Sequence, residues 1–251
     1  MRQNSKSISL FASGWILLSA IIICLQITSC QKDGAGEIVT KDVTVPEFRV
    51  LDIDAAVDVI IIQDTLYSVQ FVGEKRIIDR YSATMNDSAL KISGKRRGEF
   101  LRPNEKITEV YIHIDTLERI NVFKDCSIRS ENELTGRELG VVVQSRFTEV
   151  NLKLNCDIFY YWNNPDGTHL KLSGQTNELK IWNSGLGSVD ASEVTSPYVQ
   201  VTNGSQSDCK VRATQKLEYG LTSIGNIIFY GNPAEVVSLA ITGTGELIKG
   251  D

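Results

Sequence analysis

Carboxylates are the side chains that would give this sequence hydrolase or lyase chemistry. Repetitive β proteins that cut polysaccharides stack two or three of them on one outer face, often with Ca²⁺. The sequence around Asp190 and Asp208 repeats at a period near twenty. The two aspartates are separated by two residues fewer than this period, so they should not occupy equivalent positions in successive repeats. Asp157 and Asp166 lie in turn-like segments. The spacing therefore predicts no acidic ladder and no metal site.

The two histidines, His113 and His169, are the other candidates for acid–base chemistry. No GxSxG nucleophile motif accompanies them, and no CxxC or Cys/His spacing typical of a metal site occurs. His113 alternates with Ile112 and Ile114, a pattern that turns the imidazole towards solvent. We expect no catalytic residue, no cofactor and no metal, and an enzyme ranks third among three functional alternatives.

Cys30 is the residue whose chemistry the sequence marks most clearly. A basic start and an apolar segment from residue 8 to about residue 23 precede Ile27-Thr28-Ser29-Cys30, which is the order of a secretion signal and its cleavage site. The tetrapeptide resembles a bacterial lipobox, in which the cysteine thiol receives diacylglycerol. We expect residues 1–29 to be removed as a signal peptide and Cys30 to become a lipidated N-terminus.

The expected anchor determines where the protein should lie. Acyl chains such as palmitate contribute about 0.8 kcal/mol per buried CH₂, and two or more of them anchor stably. A membrane-spanning helix is the alternative, but Ser9, Ser13 and Gly14 interrupt the apolar segment and no basic stop-transfer cluster follows. We expect an outer-membrane lipoprotein of the cell envelope with residues 30–42 as a flexible tether, and the side of the membrane stays open.

Charge and cysteine count limit the partners and the chemistry. The chain has 26 basic and 31 acidic residues and a formal net charge of −5, which does not favour nucleic acid as a partner. Beyond the expected anchor, Cys126, Cys156 and Cys209 remain, and an odd number permits at most one disulfide with one thiol left over. Their pairing stays open, and buried unreactive thiols are the simpler interpretation.

Any site must be positioned by repeats, because short apolar segments recur along the second half of the chain. Their starts follow one another at a period of twenty with one step two residues shorter, at Phe159, Leu179, Val199, Leu217 and Val237. Each segment is followed by a turn and then by a second apolar pair, namely Leu170/Leu172, Val189/Ala191, Cys209/Val211 and Ile227/Phe229, and finally by Leu247 alone.

Short alternating strands at one fixed period are typical of a parallel β-solenoid and incompatible with amphipathic helices. Each rung puts alternate residues into a shared interior and pairs its backbone with the rungs on either side. An antiparallel sandwich would also have short strands, but it does not require a fixed period. The prediction is an all-β fold, a right-handed parallel β-helix with rungs of about twenty residues.

The N-terminal part follows a different pattern. Residues 43–107 are predicted to form a β-rich cap, because a solenoid needs its open end covered, and residues 108–251 are predicted to form the rungs of the same domain. The domain would thus span residues 43–251. The basic loop from Lys95 to Lys106 is expected to be a solvated insertion, with anion binding as its alternative.

Three asparagines recur at the full period in the first turn of successive rungs, at Asn163, Asn183 and Asn203. Asparagine tolerates a left-handed backbone, and its amide can bond to the amide of the next rung. We interpret the three as a structural ladder.

Aromatic side chains give the surface its candidate binding residues. If Phe159, Tyr161 and their equivalents point inward, then Tyr160, Trp162 and Trp182 point outward. Aromatic faces on a rigid surface stack against sugar rings or a peptide with little loss of entropy. The alternative is that the aromatic side chains only brace neighbouring rungs.

Several segments, taken in order, resemble the head GIN domain of auto-transporter adhesins. They are residues 48–53, 57–63, the pair Ile77-Ile78, residues 225–233 and Gly243-Thr244-Gly245. The resemblance covers about residues 45–250, and Ile224-Gly225-Asn226 departs from the family's Ser-Gly-x-Gly pattern at one turn. It implies an envelope protein of unknown biochemistry, in which adhesion is itself an inference, and it supplies no catalytic residues.

The resulting prediction is a non-enzymatic, lipid-anchored β-helix that presents a surface to a glycan or a surface protein. The first alternative is a structural or signalling envelope module without an external ligand, and a β-helical polysaccharide-active enzyme follows it. The membrane, reached through the lipid anchor, is the expected partner in each case, and the oligomeric state stays open.

Overall fold

The computed structural model describes residues 36–94, 107–163 and 166–251, which form an almost entirely β structure with one helix of four residues. Glu37–Asp251 forms one unit. Along β10, for example, buried and exposed residues alternate, so every second side chain enters a shared apolar core. In these ranges no helix has the length and apolar character needed to cross a membrane.

The long strands β9 to β12 follow one another with short connections and are each 17 to 19 residues long. In chain order they are β1 (Ile38–Thr44), β2 (Val50–Asp54), β3 (Asp58–Gln63), β4 (Ser68–Glu74), α1 (Lys75–Ile78), β5 (Tyr81–Asn86), β6 (Ala89–Gly94), β7 (Glu109–Ile114), β8 (Arg119–Val122), β9 (Cys126–Val143), β10 (Phe147–Asn163), β11 (Gly167–Gly185), β12 (Ser188–Ser205), β13 (Cys209–Leu221), β14 (Ile227–Tyr230), β15 (Glu235–Ile241) and β16 (Leu247–Lys249).

Each long strand runs along two faces of the solenoid in turn. The first half of β13 pairs with β14 and its second half pairs with β15. In the same way, the first half of β9 pairs with β3 and its second half with β8. We call the face that contains β3 and β14 face A, and the face that contains β8 and β15 face B. One rung therefore contributes one segment to each face.

The rungs stack in the register that the sequence repeat predicts. Phe159 pairs with Leu179, Leu179 with Val199 and Val199 with Leu217, all in parallel strands. All four side chains are fully buried. The stack has about six turns of about twenty residues. The prediction of a parallel β-helix is therefore confirmed.

The N-terminal rungs are stacked out of chain order. β2 lies between β6 and β8, and β3 lies between β7 and β9, with parallel pairing throughout. Parallel rungs thus begin at Val50, well inside the range 43–107 predicted as cap. The Val50 strand has alternate inward side chains like those of the later rungs, but the strand it pairs with in β8 lies 69 residues further along the chain. A search at a fixed period of twenty does not detect that separation.

Antiparallel strands and the short helix cover this end of the stack. β1 pairs with β4, β4 pairs with β7, and β5 pairs with β6, all antiparallel. Ile77, Ile78 and Tyr81 are buried beneath them. Since β1 begins at Ile38, residues 38–42 belong to a paired strand rather than to the tether predicted for 30–42. The basic loop at 95–106 lies outside the described residues.

The last rung departs from the predicted register by one residue. Leu217 pairs with Val236, whereas the repeat predicted Val237 as its equivalent. A bulge after Tyr219, which pairs with Ser238, restores the register, so Leu221 pairs with Ile241 as expected. The inserted residue is absorbed within β15, and Ile227 still pairs with Leu247 on face A.

A row of hydroxyl groups supports the corner between the two faces, and the sequence analysis did not identify it. The hydroxyl of Thr176 lies 3.1 Å from the carbonyl oxygen of Glu178, and the hydroxyl of Ser196 lies 2.8 Å from that of Tyr198. Cys156 occupies the same corner one rung earlier, and its Sγ lies 3.6 Å from the carbonyl oxygen of Ile158. A thiol is a weaker donor than a hydroxyl, so this rung has the poorest corner contact of the three.

The three thiols of the described chain are unpaired. Cys156 and Cys209 are buried and Cys126 is half-buried. Burial raises the pKa of Cys156 to about 11 and that of Cys126 to about 12, and it also raises the pKa of Cys209. The thiolate is the reactive form, so these groups stay protonated and inert at neutral pH.

Replacing the corner thiol by a hydroxyl should stabilise the fold. Cys156→Thr is expected to raise the free energy of unfolding by about 0.5–1.5 kcal/mol, because its hydroxyl can donate to the carbonyl of Ile158. Denaturant titration followed by circular dichroism measures the change.

The matched control is Cys209→Thr. Cys209 is fully buried between Val189 and Ile227, so a hydroxyl there gains no comparable partner. This variant should lose about 1–3 kcal/mol. Equal effects of the two substitutions would contradict the corner assignment.

Candidate binding surface

The two tryptophans of face B occupy the same position in neighbouring rungs. Trp162 in β10 and Trp182 in β11 are register partners, with backbones about 4.8 Å apart. Their chain neighbours Tyr161 and Ile181 are fully buried, so the strand alternation turns both indoles outward. Trp162 is 42% exposed and Trp182 is 39% exposed. The structure therefore places both on the outer surface, where the sequence repeat predicts them.

The tryptophans lie in the middle of an uncharged row on face B. We name this row the Trp stripe; it consists of Asn121, Val142, Trp162, Trp182 and Thr202. Five rungs at about 4.8 Å spacing make it about 19 Å long, parallel to the solenoid axis. None of these five side chains is ionisable. Beyond Asn121 the column continues with Asp52, which accepts a hydrogen bond of 2.8 Å from Asn121.

Tyr160 does not belong to the Trp stripe, although the sequence grouped it with the tryptophans. It is half-buried, and its ring lies across Gly140 of the preceding rung, where a Cβ atom would come within 1.9 Å of the ring. Its hydroxyl accepts a hydrogen bond of 2.9 Å from Nε of Arg119. Tyr160 thus braces three successive rungs, which is the alternative that the sequence left open.

The charged residues beside the Trp stripe are paired with one another. Lys180 lies 2.6 Å from Glu178, and Lys216 lies 3.0 Å from Glu218 and 3.2 Å from Glu235. The hydroxyl of Tyr198 donates to Glu218 at 2.7 Å and is the main cause of a lowered pKa for that carboxyl group. These pairs leave little net charge beside the tryptophans.

The asparagines close the face-B end of each rung, and only two of them contact each other directly. Asn183 Nδ2 donates to Asn203 Oδ1 at 3.1 Å. Asn163 instead bonds to the backbone of Ser184, donating to its carbonyl oxygen at 3.1 Å and accepting from its N–H at 2.8 Å. All three side chains are at most 2% exposed. The structure therefore holds them at equivalent positions that serve the turns.

Gly187 fits closely against two of these asparagines. A Cβ atom on Gly187 would lie 2.7 Å from Nδ2 of Asn163 and 2.7 Å from Oδ1 of Asn183. The Gly187 carbonyl also accepts hydrogen bonds from Asn183 at 2.8 Å and from Ser205 at 2.6 Å. The buried amides of Asn163 and Asn183 can therefore occupy these positions only because residue 187 is a glycine.

The carboxylates and histidines considered for catalysis are dispersed. Asp190 lies beside Lys210 in the stack, with Asp208 outside that register. His113 Nδ1 lies 2.7 Å from Asp64, whose pKa is lowered chiefly by this hydrogen bond, and His169 Nδ1 lies 2.6 Å from the hydroxyl of Ser188. Within the described ranges no group of three or more His, Cys, Asp or Glu side chains is arranged to hold a metal ion.

The structure is a stack of parallel rungs of about twenty residues, closed at its N-terminal end by antiparallel strands. Known proteins share this architecture. The family model described as "Putative auto-transporter adhesin, head GIN domain" matches residues 47–233. The chain belongs to this family. The resemblance found in the sequence is therefore confirmed. A comparison with curated proteins gives no match.

Solved structures have the same fold. The crystal structure of a putative adhesin from Bacteroides fragilis NCTC 9343 has a TM-score of 0.76 at 21% identity and covers 85% of this chain and 97% of its own. A putative lipid binding protein from Parabacteroides distasonis ATCC 8503 has a TM-score of 0.59 at 15% identity, covering 87% and 98%. At these identities the likeness shows the fold alone.

The surface features that sequence reasoning missed are contacts between rungs. The glycine under the Tyr160 ring was visible as Gly140, which lies one full period before Tyr160. A glycine one period before an outward aromatic residue is a signal that the ring folds down onto its neighbour. That signal would have separated Tyr160 from the two tryptophans.

Filling the space at Gly187 should disturb the buried asparagines. Gly187→Ala is expected to lower the free energy of unfolding by about 1–3 kcal/mol, because neither amide has room to move away from the new methyl group. Denaturant or thermal unfolding measures the loss. Leu186→Ala, at the adjacent and 53% exposed position, is the control and should change stability by less than about 0.5 kcal/mol. A Gly187→Ala protein as stable as this control would contradict the close fit.

Proposed function

We propose that the protein is a non-enzymatic lipoprotein of the cell envelope that uses the Trp stripe to bind a glycan outside the membrane. The observation that carries this proposal is the pair of register-matched, exposed tryptophans in an uncharged row. Membership of an adhesin family gives the coarse function, and the stripe supplies a surface on which that function can act.

Flat aromatic side chains suit sugar rings better than they suit most other ligands. A pyranose ring has an apolar face of C–H groups that packs against an indole, while its hydroxyl groups stay in water. The indoles of Trp162 and Trp182 are presented by adjacent strands of a rigid stack, so they lose little conformational entropy when a ligand binds. Thr202, at one end of the stripe, adds a hydroxyl group, and Asn121, at the other end, adds its side-chain carbonyl oxygen, since its Nδ2 donates to Asp52 at 2.8 Å.

Two features support an anchored, non-catalytic role. Cys30 ends a lipobox-like tetrapeptide, and the first strand of the β domain begins at Ile38, so a lipid on Cys30 would hold the domain close to a membrane surface. Asp190 lies beside Lys210 and His169 is hydrogen-bonded to Ser188, while His113 and Asp64 pair with each other in a different part of the described chain. The arrangement supports presentation of a surface rather than bond cleavage.

Removing both indoles should weaken glycan binding strongly and leave the fold intact. Trp162→Ala combined with Trp182→Ala is expected to weaken binding about tenfold to a hundredfold, since each aromatic contact contributes about 0.5–1.5 kcal/mol beyond its buried area. The midpoint of thermal unfolding should change by less than about 2 °C, because both side chains are partly exposed. Screening residues 37–251 on an array of neutral and acidic glycans, followed by calorimetry on any ligand found, measures the effect.

Phe147→Ala is the matched control, because Phe147 is a 65% exposed aromatic residue on face A. It should leave glycan binding unchanged. Absence of any glycan ligand would favour a structural or signalling envelope module. Binding of unchanged affinity after loss of both indoles would reject the stripe as the site. A large loss of stability in the double variant would show that the tryptophans brace the rungs.

The anchor has its own test in cells. Cys30→Ser should eliminate incorporation of labelled palmitate and move the protein from the membrane fraction to the soluble fraction, since no thiol remains to receive the lipid. Cys24→Ser, which changes a cysteine inside the apolar segment, should leave labelling intact. A Cys30→Ser protein that is still labelled would refute lipidation at this residue, and added protease would then show which side of the membrane the wild-type protein faces.

A further inference from the structure

The C-terminal end of the solenoid exposes side chains whose register partners in the preceding rung are buried. Val236 and Ile241 lie in register with the buried Leu217 and Leu221, yet they are 45% and 52% exposed. The bulge residue Leu239 is 49% exposed. In the described chain β15 pairs only with β13, and β16 pairs only with β14. The apolar interior is therefore open at this end.

The edge strand β15 also lacks the features that usually prevent an exposed strand from pairing with another chain. Residues 236–241 contain neither a charged residue nor a proline, although edge strands are usually protected by lysine, proline or short length. Glu235, at the start of the strand, is held by Lys216 at 3.2 Å. A neutral edge with unpaired backbone groups beside an open core is a surface for strand addition.

The N-terminal end of the same stack is closed. Tyr81, Ile77 and Ile78 are buried there, and the ring of Tyr81 stacks on Phe71 with the centroids 6.4 Å apart. Lys41 of β1 donates to the carbonyl oxygen of Tyr81 at 3.1 Å and so fastens the two cap strands together. This end offers no open core, and a head-to-tail contact between two copies would leave the apolar C-terminal side chains without a match.

We propose that the C-terminal end is a homodimer interface, in which β15 pairs antiparallel with β15 of a second copy across a two-fold axis. A two-fold contact joins the same patch of both subunits, so the two open cores cover each other. With Ser238 near the axis, Glu235 of one copy lies opposite the Ile241 position of the other, and like charges do not face each other. The assembly is closed and stops at two copies.

Sedimentation velocity and light scattering on residues 37–251 test the proposal, since all core residues lie within this unit. The wild type should show a dimer fraction that rises with concentration. Ile241→Glu should weaken dimerisation at least tenfold, because the proposed register places each new carboxylate in the apolar interface and opposite Glu235 of the other copy. Leu186→Glu is the matched control, with 53% exposure on the side of the stack, and should dimerise like the wild type. Equal thermal midpoints for the two variants exclude misfolding as the cause.

A cross-link identifies the strand. Ser238→Cys should form an intermolecular disulfide under mild oxidation, because opposed residues of an antiparallel pair have Cβ atoms about 4.5–5.5 Å apart and the natural thiols are buried or half-buried. A wild-type monomer up to about 0.1 mM overturns the proposal. So does a dimer that is unaffected by Ile241→Glu or that forms no Ser238→Cys cross-link, and so does growth into species larger than two.

Discussion

The parallel backbone pairing of one rung with the next is the interaction on which the rest of the structure depends. It fixes equivalent residues of successive rungs about 4.8 Å apart, so these residues form columns parallel to the solenoid axis. Inward columns become a continuous core of leucine, isoleucine and valine, and outward columns become rows such as the Trp stripe. At the corners the same spacing lets the hydroxyl groups of Thr176 and Ser196 reach backbone oxygens of their own and the preceding rung.

How far the fold follows from the sequence depends on the distance between partners along the chain. From Phe159 to Leu221 the partners are one period apart, and reading the repeat gave the correct pairs. The Val50 rung joins the stack through partners 69 residues ahead, and no local pattern encodes that contact. The bulge in β15 also escaped detection, since both Val236 and Val237 suit a core position and only backbone geometry chooses between them.

The sequence correctly predicted two of the three aromatic side chains of the candidate site as exposed. Alternation with the buried Tyr161 and Ile181 was enough to turn Trp162 and Trp182 outward. It was not enough for Tyr160, because an outward Cβ does not determine where a long ring finally lies, and the space above Gly140 draws it back onto the stack. The alternation of a strand determines whether a side chain points inward or outward. Whether an outward side chain is free to contact a ligand depends on whether the neighbouring rung has space into which it can fold.

The out-of-order N-terminal rungs divide the chain into two regimes of folding. From β10 onward each rung stacks on the preceding rung of the chain, so these contacts are local and form quickly. The β2–β3 rung is enclosed by strands that follow it in the chain, and it cannot be completed until residues up to Ser130 are present. During synthesis the Val50 strand thus waits for a partner that lies 69 residues ahead. Rungs between β10 and β13 can be gained or lost in evolution as units, whereas β2 to β9 must be inherited as a whole.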